Sequence, residues 1–194
     1  MVWHVVEAEG LAGIIRHGLL PASALRALAD VADSGANRDD YDPLALPGGG
    51  TAVLRFQIMA DGKLLPSLAG AYAGQPDLWR AHINSHVFFW ADPARRDSFI
   101  RANLRERARS RAAPSAAHPV VLAFNTQALL VTLGPNAFYS TFNTGSTVRG
   151  AARARRDEDT FRPVANYRSG PAAEVAIRGT VPPDVLAAAK RDSA

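Results

Sequence analysis

Two short apolar strands, one near each end of the chain, constrain its fold most, because each carries one ionisable side chain and each leads into a helix. The first is Trp3-His4-Val5-Val6. It runs into a predicted helix over 7–17, where Leu11, Ile14 and Ile15 form an i, i+3, i+4 stripe. Gly18 is a helix stop of the kind that needs positive φ, and Leu19-Leu20-Pro21 leads out. Near the other end, Glu174-Val-Ala-Ile177 opens a strand, followed by Val181-Pro-Pro and a predicted helix over 183–189. No internal repeat and no domain boundary separates the two, so residues 1–194 read as one α+β domain.

Between the ends the pattern is mixed. Ser23 is expected to cap a helix with Leu25, Leu28 and Ala29 inward. Residues 33–51, ending in Pro47-Gly48-Gly49-Gly50, read as a long loop and a candidate binding element. Residues 52–57 fit a strand or a helix start, and 64–72 and 76–84 read as helices. His86-Val-Phe-Phe-Trp90 is the clearest strand; its alternation puts Phe88 and Trp90 on one face and Phe89 on the other. Asp92-Pro93 opens a helix to about residue 109, and 119–125 form a buried strand before a short helix or turn over 126–130. Residues 139–147 are extended and polar; 149–160 are charged and expected to be mobile.

Composition narrows the chemistry. The chain has no cysteine, which removes disulfides, thiolate catalysis and Cys-ligated zinc together. No apolar run approaches the ~20 residues that span a bilayer, and the first residues lack a secretory pattern, so the expected location is cytoplasmic. Arginine supplies almost all of the positive charge, since only Lys63 and Lys190 are lysines. It gathers at Arg95, Arg96, Arg101, Arg105, Arg107, Arg109 and Arg111, and again at Arg149, Arg153, Arg155, Arg156 and Arg162. Such clusters suit phosphate, whether of a nucleic acid or a dinucleotide, and equally suit a solvated helix face or loop.

Taken singly, each candidate residue has two readings. His4 on a strand is either a hydrogen-bonded core residue or a ligand contact. Glu174 is either a solvated strand end or a reactive carboxylate. Phe88 and Trp90 either fill a core or wall an aromatic ligand, with Tyr139 and Tyr167 as alternatives. Arg55, or Arg38, is either a surface cation or an anion contact. Asn143-Thr144-Gly145-Ser146-Thr147 is either a plain turn or a loop whose donors hold a phosphate or sugar.

A resemblance adds to these readings. The segment from Trp3 to Leu20 resembles the opening of ADP-ribosyltransferases, where a strand bearing a His runs into a helix ending in His-Gly-Leu. The frame Ala-Glu174-Val-Ala-Ile, with Val-Pro-Pro and an apolar helix after it, resembles the catalytic segment of DarT toxins, which ADP-ribosylate bases of single-stranded DNA. His86 to Pro93 is similar to a DarT-like strand and turn, and the middle of the chain resembles a related uncharacterised bacterial family. The resemblance implies a split β-sheet core and NAD as co-substrate, with no metal. It implies His4 on the ribose, Phe88 or Trp90 beside nicotinamide, and Asn143 and Thr144 as further NAD contacts. Glu174 would be the catalytic carboxylate and Arg55 its supporting cation, while the arginines of 149–156 would face the acceptor. A nucleic-acid base, DNA favoured, is the implied acceptor, and an antitoxin a possible partner in a toxin–antitoxin pair.

Departures from the pattern sharpen the acceptor. Ala172 stands where arginine-modifying relatives carry a second glutamate, which disfavours protein-arginine modification. Trp3-His4 replaces a common Tyr-His, and 33–50 has no counterpart. The rival readings are a catalytically inactive NAD or ADP-ribose binding module, a transferase acting on a protein or small molecule, and a nucleic-acid binder without NAD chemistry.

Overall fold

Seven strands in the order β7-β6-β8-β4-β1-β5-β9 make one sheet among the residues described by the computed structural model, which are 1–32, 37–110, 112, 118–148, 151, 153–187 and 190–192. Arg111, Arg149 and the end of the last predicted helix lie outside these residues. The strands are β1 (Val2–Val6), β4 (His86–Trp90), β5 (Val120–Phe124), β6 (Ala137–Ser140), β7 (Arg162–Pro163), β8 (Glu174–Arg178) and β9 (Lys190–Asp192), and every neighbouring pair is antiparallel. A separate hairpin joins β2 (Asp42–Ala45) to β3 (Thr51–Leu54). The helices are α1 (Leu11–His17), α2 (Ala22–Leu28), α3 (Asp61–Leu64), α4 (Pro76–Asn84), α5 (Pro93–Arg107), α6 (Thr126–Leu133) and α7 (Pro183–Ala187). The mixed α+β expectation is met. None of the described helices is long and apolar enough to cross a membrane.

The sheet has a seam. Strand β1 pairs with β5 along its whole length, from Val2 opposite Phe124 to Val6 opposite Val120, and β4 pairs likewise with β8. Across the seam β1 and β4 are in register only at Trp3 opposite Trp90. Beyond that pair the ladder is replaced by a side chain: His4 Nδ1 lies 2.6 Å from the carbonyl oxygen of Phe88. At the seam itself the strands are joined by one backbone pairing and one imidazole, while the shared apolar core and the Leu19–Val181 bridge tie the two halves together elsewhere.

Each face of the sheet buries its own core. Val2, Val6, Val87, Phe89, Val175 and Ile177 share one face with Leu122 and Phe124. On the other, Phe88 and Phe138 pack against Trp79, Ile83 and Phe161. Phe89 is therefore core while Phe88 and Trp90 point the other way, as the period of two requires. The two end segments also meet: Leu19 and Val181 exchange backbone hydrogen bonds of 2.9 Å each. Gly18 makes that approach possible; its φ is +82°, and a Cβ there would sit 2.2 Å from the Val181 carbonyl oxygen.

Four expectations need correction. Ser23 lies inside α2 and caps nothing; its Oγ donates to the Asn84 carbonyl at 3.0 Å, satisfying an acceptor left open at the end of α4. The long loop contains β2 and the turn into β3, whose tip uses Gly48, Gly49 and Gly50, all with positive φ, and β3 settles the 52–57 segment as a strand start. The predicted helix over 64–72 breaks into the end of α3 and two 3-10 turns, because Pro66 cannot donate in a continuing helix and Gly70 takes φ +56°. Within 149–160, the described residues Ala151, Arg156 and Thr160 are buried. That stretch is not simply a solvated charge run.

Candidate active site

A cleft of about 330 Å³ opens along the seam, lined among others by His4 from β1, Arg55 just after β3, Phe88 and Trp90 from β4, Asn143, and Glu174 from β8. Sheet register explains part of this gathering. Trp90 stands opposite Glu174 across β4 and β8 and shares that face with Phe88. The alternation of β1 puts His4 on the Phe89 face, so His4 joins them only at the seam, where its ring reaches the Phe88 carbonyl. Glu174 is only 4% exposed, because β8 is an interior strand between β4 and β6. The solvated-edge reading of this glutamate does not hold.

Glu174 is held from one side. Its Oε1 accepts from the Thr144 backbone N–H at 3.1 Å and from the Thr144 hydroxyl at 2.5 Å. Oε2 makes no hydrogen bond among the described residues. Burial pushes the Glu174 carboxyl up to about 7, opposed by the two Thr144 bonds and by the positive charges of Arg156 and Arg95. Thr144 itself is fully buried and lies behind the carboxylate, outside the cleft lining. It was expected as a cofactor contact; its hydroxyl is committed to Glu174 instead.

Burial pulls His4 down to about 4, a shift that the Phe88 carbonyl bond offsets only in part. The ring is therefore neutral at neutral pH. A carbonyl oxygen can only accept, so Nδ1 carries the proton and Nε2 presents a lone pair. The same bond fixes the ring's tilt, with Phe89 packed beside it at 5.5 Å between centroids.

Arg55 lines the cleft as part of a buried cluster. Its Nη2 lies 2.8 Å from Glu7 Oε1, while Glu7 Oε2 accepts from Arg107. The Arg55 guanidinium also sits over the Phe99 ring at 5.1 Å, and Phe99 packs on Trp90. Arg38 is beside it: Arg38 Nε donates to the Arg55 carbonyl at 3.1 Å, and both line the cleft. Arg55 and Arg38 thus both bring guanidiniums to this end of the cleft, Arg55 with Glu7 as its partner.

Several lining or supporting residues were invisible from sequence. Glu7 reads as an ordinary residue at a helix start, Arg107 as one arginine among many, and Gln57 as a strand end. Gln57 lines the cleft with a buried Oε1 that has no hydrogen-bond partner among the described residues. Tyr139 and Tyr167, the alternative stacking residues, pack edge to face on each other at 5.1 Å and do not line the cleft. Arg156 has left the acceptor-facing set altogether, being fully buried. Arg153 and Arg155 remain exposed, the latter paired with Asp157 at 2.7 Å. Among the described residues no group of three His, Asp or Glu side chains is placed to hold a metal ion.

A family described as "Family of unknown function (DUF7002)" matches residues 1–186. The chain belongs to this family. Because the match runs from before β1 to within α7, the whole cleft lies inside the shared region. No curated protein and no solved structure matches the chain.

Proposed function

We propose that this chain is an NAD-dependent ADP-ribosyltransferase with the split-sheet core of that superfamily, moving ADP-ribose from NAD to a nucleic-acid base, DNA favoured. One observation carries the reading: His4 and Glu174, from the two halves of a sheet joined by one backbone pairing, line a single cleft. Its volume, about 330 Å³, is within the range of small-molecule sites.

The chemistry follows from the side chains. Nicotinamide leaves with the electron pair of its bond to the ribose anomeric carbon, and positive charge develops on the ribose. The ionised Glu174 carboxylate stabilises that charge and can accept a ribose hydroxyl proton in a hydrogen bond that tightens in the transition state. A base nitrogen of the acceptor then bonds to the anomeric carbon, and its proton passes to Glu174. Neutral His4, through Nε2, accepts from a ribose hydroxyl and fixes the sugar's orientation. Phe88 and Trp90 flank the nicotinamide ring, and Asn143 offers an amide at the rim. The guanidiniums of Arg55 and Arg38, which line the cleft, suit the pyrophosphate by their planar hydrogen-bonding geometry.

Labelled NAD incubated with single-stranded DNA, duplex DNA, RNA and protein extract tests both activity and acceptor. The expected result is label on DNA and free nicotinamide, both lost in Glu174→Gln, which still binds NAD. NAD binding with no nicotinamide release from any mixture supports an inactive binding module. Salt-dependent DNA binding with no response to NAD ends the transferase reading. Label on protein alone overturns the nucleic-acid acceptor.

A further inference from the structure

We infer that Arg156 is a positioning residue for the site, a buried clamp that grips the 142–146 turn on both sides of Thr144 and so fixes Thr144 against Glu174. Two residues before Thr144, the Phe142 ring lies under the Arg156 guanidinium at 5.3 Å. Two residues after it, the Ser146 carbonyl accepts from Arg156 Nη2 at 2.5 Å. The remaining bonds anchor the clamp to distant chain: Nη1 donates to Ser67 Oγ at 2.8 Å and to the Ala154 carbonyl at 2.9 Å, and Nη2 to the Ala151 carbonyl at 3.1 Å. The backbone of Arg156 is tied too, its N–H donating to the Ser67 carbonyl at 2.8 Å and its own carbonyl accepting from Ala69 at 2.9 Å.

Two physical points separate this from ordinary packing. A guanidinium buried to 0% exposure normally has a carboxylate partner, yet Arg156 makes no ion pair among the described residues. Its charge acts on Glu174, and that of Glu174 on it. Second, its contacts diverge in several directions from a planar fork, which a single ammonium cannot reproduce. Arg95 from α5 is the other cation acting on Glu174, and His4 and Arg55 line the same cleft.

The inference rests on Glu174 being the reactive carboxylate, but its test does not need turnover. Glu174 is titrated by side-chain carboxyl NMR in the wild type, Arg156→Lys, Thr144→Val and the double variant. Arg156→Lys keeps a positive charge, and its fold is checked by the dispersed amide spectrum. The expected result is an upward shift of the Glu174 midpoint by about one unit, a tenfold change in ionisation. In the Thr144→Val background the same change is expected to shift it by less than half as much, because the clamp works through Thr144. Where transfer is measurable, kcat at pH 7 is expected to fall about 10- to 100-fold with KM for NAD within about threefold. A folded Arg156→Lys with an unmoved Glu174 midpoint overturns the inference, as does a shift of equal size in both backgrounds. Should the wild type show no transfer, the catalytic reading fails while the titration still judges the clamp.

Discussion

Two glutamates, Glu7 and Glu174, line the same cleft and are equally buried, each 4% exposed, yet their surroundings are opposite. Glu7 is gripped directly by two guanidiniums, Arg55 and Arg107. Glu174 has only a hydroxyl and an amide from Thr144 at contact distance, with arginine charge further off. A buried carboxylate shared by two guanidiniums is an ion-pair anchor that supports structure. A buried carboxylate met by neutral donors is poised to titrate near neutrality, which suits proton transfer. Exposure alone would not separate the two; the nature of the partner does.

The comparison can be broken first at Glu7. Glu7→Gln removes the carboxylate that Arg55 and Arg107 share and is expected to cost about 3–5 kcal/mol of stability, read by denaturant unfolding. A cost below about 1 kcal/mol would mean that Glu7 is no anchor. At Glu174 the same substitution should act on function. Glu174→Gln keeps an oxygen that accepts from Thr144 but removes the charge, so transfer should fall by roughly 10²- to 10³-fold or more, with NAD affinity measured by calorimetry nearly unchanged.

Stability should respond in the opposite sense at the two sites. The Glu174 carboxyl titrates at about 7 in the folded chain, above its ordinary 4.5. Its contribution is fully present below about 4.5 and is lost as pH rises through about 7, so the ionised form weakens the fold at pH 8. Glu174→Gln is therefore expected to be more stable than wild type by about 1–3 kcal/mol at pH 8 and by almost nothing at pH 4. The difference between the two proteins is the useful quantity. His4 and His86, both held down to about 4 from 6.5, make wild-type stability rise with pH over about 4–6.5, opposing Glu174, and they cancel in that difference. A flat difference across pH 4–8, followed by thermal unfolding, would remove Glu174 from the list of strained groups. The rate of transfer should rise through pH 7 as the carboxylate ionises, a limb absent if another group is the base.

The smallest effect is expected at the imidazole. His4→Ala removes one acceptor for the ribose and should raise KM for NAD about tenfold with a lesser change in kcat. An unchanged KM would reduce His4 to its bond across the seam.

Much of this arrangement could be read locally. The alternation of His86 to Trp90 put Phe88 and Trp90 on one face and Phe89 on the other, and that division holds, with the structure making Phe89 the core residue. Asp92-Pro93 announced α5, and the Asp92 side chain does accept from the Arg95 N–H at 3.0 Å. Strand β2 stayed hidden and β3 ambiguous because glycines and prolines mask a strand pattern that only pairing rescues. The adjacent pair Arg155 and Arg156 shows the limit most sharply: identical in type, one is exposed and one is fully buried.

The chain's own order of residues determined the elements, the α+β class and the two ends worth watching, since periodicity and turn chemistry act over a few positions. Tertiary structure alone decided which carboxylate is caged and which is poised. The partners that set this lie far along the chain: Arg107 reaches back to Glu7, Thr144 forward to Glu174, and Ser67 across to Arg156. Burial and charge are properties of that assembled neighbourhood, and no local window contains them.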